Sequence, residues 1–322
     1  MSVFIRLEKF VKKIFKTSVD VFLDALKHSP NAQGYVSGSV TELLLKHHLK
    51  NQGFEVKRIR EKWEGKKHPK HHGDFYFRLP DQNWYVLESK GVKSNSEKWH
   101  KLYNYEKLVK FLVNHADKID WIDKRLTPNE VHDCITTWIS QNLPLFDSDY
   151  KQPLYDFEEI QKYVKNPTKR ETEKSRLMQL LSAYSREQIS QMIDERLAYL
   201  ATKIGVLETH FVSGTSASNE RTQATPRKDE FNLISVDIFL RHQEHKFLFA
   251  NPNHLDSSGE DANHLKQNYI IGFVFNRNND YILSLSSEWC EDFNEIYETL
   301  NVSDSISEAD MQEDIRFVVE EN

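Results

Sequence analysis

The stretch GDFYFRLPDQNWYVLESK, residues 73–90, decides how the chain is read. Two aromatic-rich runs, 73–79 and 84–90, flank Pro80-Asp81-Gln82-Asn83. Pro presets the first turn dihedral and Asp and Asn tolerate turn conformations, so the pair predicts a β-hairpin. Side chains alternate faces along a strand. Asp74, Tyr76 and Arg78 therefore share a face of the first strand, and Trp84, Val86, Glu88 and Lys90 share one of the second. A turn centred near Asp81 and Gln82 sets Asp74 opposite Glu88, within one residue of register, with Lys90 one step further along. Two carboxylates and a lysine thus converge at the open end of one hairpin. Like charges facing each other across strands destabilise a sheet, and a local rule broken without visible compensation marks a functional place. A divalent cation would compensate. Mg²⁺ takes one or two carboxylates, keeps several waters and accepts a substrate phosphate. Lys90 beside it could orient or help deprotonate a water and stabilise charge on that phosphate.

The flanks of the hairpin are basic. Residues 57–72 carry Lys57, Arg58, Arg60, Lys62, Lys66, Lys67 and Lys70 with three histidines, and Lys93 and Lys98 follow it. Net charge is −6, yet it is unevenly spread. Residues 1–110 hold 22 of the 43 Lys and Arg and 12 of the 49 Asp and Glu, leaving 21 and 37 for residues 111–322. A basic local block is what a phosphate backbone requires, whatever the global sum. Lys57, Arg58, Arg60, Lys66, Lys67, Lys70, Lys93 and Lys98 are the candidate nucleic-acid contacts; solvated surface charge is the plain alternative.

Further out, residues 1–20 read as a short amphipathic helix with Phe4, Leu7, Phe10, Val11, Ile14 and Phe15 on one side. The next helix stops near Pro30, Gly34 to Gly38 reads as a turn, and a helix from Ser39 to Asn51 stops at Gly53. A long helix is expected over 96–114. Prolines suggest a lobe boundary near 150–168. Residues 169–204 lack Gly and Pro and read as one helix ended by Gly205. Residues 213–230 read as a loop, followed by strand-like runs at 231–241, 246–250, 269–275 and 280–286. Asp237-Ile238-Phe239-Leu240-Arg241 echoes Asp74-Phe75-Tyr76-Phe77-Arg78, which is either chance or a degenerate duplicate.

Several classes are excluded. No apolar run approaches bilayer length, and the start lacks the apolar stretch of a secretory signal. Two well-separated cysteines, Cys134 and Cys290, make a disulfide framework or Cys-based zinc site unexpected and fit a reducing cytoplasm. No Gly-rich phosphate loop or serine elbow occurs. His68, His71 and His72 match no zinc spacing.

Gly73-Asp74, thirteen intervening residues, and Glu88-Ser89-Lys90 closing an apolar strand resemble the PD-(D/E)xK nuclease superfamily, which includes most type II restriction endonucleases. Glu42, on the helix before the hairpin, matches an acidic residue that family often carries. Gly73 stands where the motif has Pro. The resemblance covers about residues 35–115. It implies an α/β fold, a restriction-endonuclease-like mixed central sheet flanked by helices, in a nuclease lobe at residues 1–150. Residues 151–322 would add a helical segment and a small β-rich lobe, for DNA recognition or as a degenerate copy. It also implies Mg²⁺, with Mn²⁺ able to substitute, held by Asp74, Glu88 and the Ser89 carbonyl. Lys90 would act on the water, and Glu42 would tune the site. The expected activity is cleavage of DNA phosphodiester bonds by a restriction or phage-defence endonuclease. One site per chain implies a homodimer for double-strand cutting. The alternatives are a repair or recombination nuclease and a non-catalytic DNA-binding module on the same scaffold.

Overall fold

The computed structural model describes residues 2–60, 71–92, 102–146, 157–165, 171–211, 225–258, 262–277 and 280–314. It opens with helices α1 (Val3–Phe15), α2 (Val19–His28) and α3 (Pro30–Asn51). α1 packs on α2 and α2 on α3. The expected hairpin follows: β1 (Glu55–Arg58), β2 (Phe75–Arg78) and β3 (Tyr85–Gly91) form an antiparallel set. Asp81 takes a positive φ of 61° in the β2–β3 turn, a conformation Asp tolerates. Helices α4 (Tyr105–Val113), α5 (Pro128–Asn142), α6 (Phe157–Lys165), α7 (Glu171–Ala183) and α8 (Arg186–Lys203) lead into β4 (Ile204–His210). The remainder is β5 (Leu233–Asp237), a short α9 (Phe239–His242), β6 (Phe247–Ala250), β7 (Asn268–Arg277), β8 (Asp280–Leu285) and α10 (Phe293–Tyr297).

The protein is mixed α/β, with a five-stranded sheet in the order β1-β2-β3-β5-β6 and a three-stranded sheet in the order β4-β7-β8. β5 runs parallel to β3 and antiparallel to β6, so the larger sheet is mixed. Strict alternation sorts its side chains. Phe75, Phe77, Tyr85, Leu87, Leu233 and Phe249 face Leu45 and Leu49 of α3 and Phe293 of α10. Tyr76, Val86, Ile234 and Val236 face Leu207, Ile271 and Val274 of the smaller sheet. The smaller sheet turns Val206, Phe273 and Phe275 the other way, onto α4, α5 and α8. The layers therefore run helix, sheet, sheet, helix. A second sheet, not helices, covers the far face of the five-stranded sheet.

Several boundaries differ from the sequence reading. Gly34 and Gly38 lie inside α3, not in a turn. Pro30 ends α2 but also opens α3 at the first helical position, where its missing N–H costs nothing, and the Ser29 hydroxyl accepts the Ala32 N–H at 3.3 Å. α4 begins at Tyr105 because the Asn104 side chain caps it; residues 93–101, the expected start of a longer helix, lie outside the described residues. The single helix expected to Gly205 is broken at Ser185, which forms a capping box with Gln188. Gly205 ends no helix; it sits within β4, where a Cβ would stand 3.2 Å from the Arg241 Cβ. Strands from both sides of residue 150 make the larger sheet, so the expected boundary there does not separate the sheets. The run that echoes Asp74–Arg78 is not a strand as expected: Asp237 ends β5 and Phe239, Leu240 and Arg241 lie in α9, which leads to β6 of that same sheet.

The late chain also closes the hairpin side of the sheet. Residues 302–314 carry bridges from Ile306 to Trp84 and from Glu313 to Ile59. The Trp84 indole donates to Glu308 at 2.8 Å, the Tyr76 hydroxyl accepts the Gln312 N–H at 3.0 Å, and the Asp314 N–H reaches the Arg58 carbonyl at 2.8 Å. This segment lies against β1, the edge strand, whose unpaired backbone would otherwise be open to pairing.

Gly73 shows how tightly the hairpin mouth is built. A Cβ there would stand 2.6 Å from Val86 Cγ1 and 2.9 Å from the Leu87 carbonyl oxygen. Gly73→Ala is therefore expected to cost about 1–3 kcal/mol of stability, read by urea denaturation. Stability equal to the parent would show that the two strands separate freely at this point.

Candidate active site

The backbone of Asp74 is fixed from both sides. Its N–H donates to the Leu87 carbonyl at 2.9 Å, and its carbonyl accepts the Ile59 N–H at 2.9 Å. The ladder pairs Phe75 with Leu87, which puts Asp74 opposite Glu88 as the turn length implied. Asp74 Oδ2 accepts the Ser89 N–H at 2.7 Å. Lys90 Nζ forms an ion pair with Glu88 Oε1. Glu42, a turn before Leu45 on α3, pairs with Arg58 at 2.7 Å. Asp74, Glu88, Lys90, Glu42 and Ser89 are thus brought to one end of the sheet.

Electrostatics tie the cluster together. Burial and the facing Asp74 push the Glu88 carboxyl up to about 8, against the pull of Lys90; Glu230 adds to the rise. Burial also raises Asp74, although Lys90, the Ser89 N–H and Arg58 act the other way. Burial works against the Lys90 ammonium, but Glu88, Asp74 and Glu42 outweigh it and hold its pKa above the ordinary lysine value. Lys90 is therefore a cation here, suited to stabilising negative charge. A proton acceptor would need those carboxylates neutralised first.

The basic residues divide. Arg58 turns inward to Glu42 and Asp74, so it is part of the cluster's charge balance and not an outward phosphate contact. Lys57 pairs with Glu313 at 3.2 Å and lies 5.0 Å over the Trp84 ring, so it also faces the closing segment. The Arg60 N–H reaches the Gln312 carbonyl at 2.9 Å. Lys66, Lys67, Lys70, Lys93 and Lys98 lie outside the described residues.

Residues that the sequence reading did not assign to the site support it. Asn232, just before β5, accepts the Val86 N–H at 2.7 Å and donates to the Asp304 carbonyl at 2.9 Å. Glu230 bears on Glu88 from the same approach. Asp237, buried at the end of β5, accepts the Thr41 hydroxyl at 2.8 Å and the Phe239 N–H at 3.0 Å, and lies 2.6 Å from His245 Nδ1. It echoes Asp74 in sequence only, since its partners are a hydroxyl, a backbone amide and an imidazole. No local pattern signals these residues, because β5 joins β3 from more than a hundred positions away.

The donor set suits a hard cation of the Mg²⁺ type. Among the described residues, no group of three or more His, Cys, Asp and Glu side chains is placed to hold an ion. Two carboxylates do converge, and each has one oxygen beyond those used by the Ser89 N–H and Lys90. That is as many protein ligands as Mg²⁺ needs alongside water and phosphate. A raised acid pair is also what a cation relieves, since opposite charge favours the ionised form. Ser89 contributes its N–H to Asp74, which orients that carboxylate. Comparison with protein-family models, curated proteins and solved structures finds no match, so what this site does must be argued from its own residues.

Proposed function

We propose that the chain is a Mg²⁺-dependent endonuclease that hydrolyses DNA phosphodiester bonds, as a restriction or phage-defence enzyme. The observation that carries this reading is the meeting of Asp74, Glu88 and Lys90 at one hairpin mouth, with both acids raised in pKa. Asp74 and Glu88 would hold the metal. Bound there, Mg²⁺ would polarise a phosphate oxygen and lower the pKa of a water. Asp74 is pre-oriented by the Ser89 N–H and Lys90 by Glu88, so neither needs to search for its position. The Lys90 ammonium stabilises charge gathering on the phosphate. Glu42 and Arg58 set the potential around the two acids. The basic character of residues 57–72 supports a polyanionic substrate.

The test is incubation of native and Asp74→Ala protein with mixed phage and plasmid DNA, with and without Mg²⁺. Fragments that require both the metal and Asp74 are expected. Equal cutting by Asp74→Ala, or cutting in a chelator, would overturn the reading. The Glu88–Lys90 ion pair favours one rival, a non-catalytic DNA-binding module in which the pair is a buried structural contact. That rival requires intact DNA under every metal condition and binding unchanged by Lys90→Ala.

Arg58 offers a finer check. Removing it takes away one of the influences that lower the Asp74 pKa. Arg58→Ala should therefore move the acidic limb of the cleavage–pH profile upward. A profile that stays put would show that Arg58 serves Glu42 alone.

A further inference from the structure

We propose that α1, α2 and the first turns of α3 form a self-association surface that joins two copies of this chain through a two-fold interface. Among the described residues, seventeen large apolar side chains stand exposed, and twelve of them fall between Val3 and Leu43. They include Val3, Phe4, Phe10 and Ile14 on α1, Leu23 on α2, and Tyr35 on α3, which is 82% exposed. Residues 33–40 of α3 are exposed around the whole helix. The hydrophobic clusters of the described chain begin only at Leu44. The inner sides of α1 and α2 are used on each other, through buried Val11 and Val19, and the outer sides are left over.

The area decides that something covers them. At roughly 100 Å² of exposed surface per large side chain, twelve present on the order of 1,000 Å². Monomers rarely expose apolar patches beyond a few hundred Å², whereas a stable interface buries roughly 800 Å² per partner. The charges decide in favour of a second copy. α1 carries Arg6, Lys9, Lys12 and Lys13 against Glu8, while α2 carries Asp20 and Asp24 against Lys27. In a two-fold pairing the same patch meets itself, so α1 of one copy can lie on α2 of the other with unlike charges adjacent. An anionic lipid surface would attract α1 but repel the acids of α2, and residues 30–45 offer it Glu42 and no Lys or Arg. Because α3 also carries Thr41 and Glu42 to the sheet end, pairing through its first turns would hold two such clusters at a fixed separation. The pairing itself does not rest on the hydrolytic reading.

Sedimentation velocity on the full chain at micromolar concentration tests this. The native protein should sediment as a dimer. Phe10→Glu combined with Ile14→Glu should raise the dimer dissociation constant by at least about 30-fold, and so should Tyr35→Glu alone. Circular dichroism and an unfolding midpoint check that each variant is folded. If the α1 variant fails to fold, Tyr35→Glu decides, because its side chain is almost wholly outside the fold. A native monomer, or a dimer that survives in the folded variants, would overturn the proposal. So would a monomer that pellets with phosphatidylserine-containing vesicles through Phe10 and Ile14.

Discussion

Lys90→Met should lower the rate of the proposed DNA cleavage by about 10³-fold and at the same time tighten Mg²⁺ binding. The two effects have opposite signs because Lys90 plays two parts. Its ammonium sits on Glu88 and within electrostatic reach of Asp74 and Glu42. It therefore competes with any cation for the same carboxylates. A unit charge a few ångströms away in a partly buried setting is worth on the order of 4 kcal/mol, so its removal should strengthen Mg²⁺ affinity by at least about tenfold. The same ammonium stands beside the two acids that would hold the metal and its phosphate, and Met keeps the length of the side chain without the charge. Single-turnover cleavage and calorimetric Mg²⁺ titration of the DNA-free protein read the two effects separately. Unchanged cleavage would remove Lys90 from the chemistry. Loss of Mg²⁺ affinity would mean that Lys90 organises the acids and does not compete for them.

Glu88→Gln should abolish cleavage yet stabilise the metal-free protein, and the gain should grow with pH. Glu88 is raised to about 8 in the folded chain, from an ordinary glutamate value in the unfolded one. Between those two values the folded state holds a proton that the unfolded state has released. Stability of the native chain therefore falls as pH rises from about 4.5 to about 8, and the full penalty is present above that. Gln carries no such penalty. The variant should lead the native protein by about 2–4 kcal/mol near pH 8 and by little near pH 5, after the lost ion pair with Lys90 is set against it. The raised Lys90 does not confound this window. A lysine raised above its unfolded value loses its contribution only as pH climbs through that higher value, beyond the range measured. Added Mg²⁺ should stabilise the native chain and not the variant, with an affinity that strengthens as pH rises through about 8. A variant less stable than native at pH 8 would show that the Lys90 pairing outweighs burial.

The site was legible because its parts are local. Turn residues at Pro80–Asn83 and strict alternation on either side set the register, and register alone puts Asp74 opposite Glu88. Glu42 was placed by its helix. What was not legible came from distance. Nothing near Leu233–Asp237 signals that this run will lie parallel to β3, so Glu230, Asn232 and Asp237 could not be assigned to the same sheet end. In the second sheet β7 and β8 match strand-like runs of the sequence, but β4 was hidden, because it follows α8 without a break. Two helix starts do carry local signals. Thr127-Pro128-Asn129-Glu130 and Ser185-Arg186-Glu187-Gln188 are capping boxes that mark the starts of α5 and α8. Gly34 and Gly38 misled in the opposite direction. Helix propensity is a weak prior, and a capped start at Ser29 with Pro30 outweighs two glycines.

Residues 302–314 have a consequence for how the molecule is made. A ribosome releases β1, β2 and β3 early, but their outer border stays bare until Ile306, Glu313 and Asp314 emerge. β5 arrives late as well, and with it the Asn232 contact that ties Val86 to Asp304. The acidic pair at the hairpin mouth is therefore framed only once residues 302–314 have been translated. A chain interrupted before residue 302 would carry Asp74, Glu88 and Lys90 without the frame that holds them, and would offer an open strand to its neighbours instead.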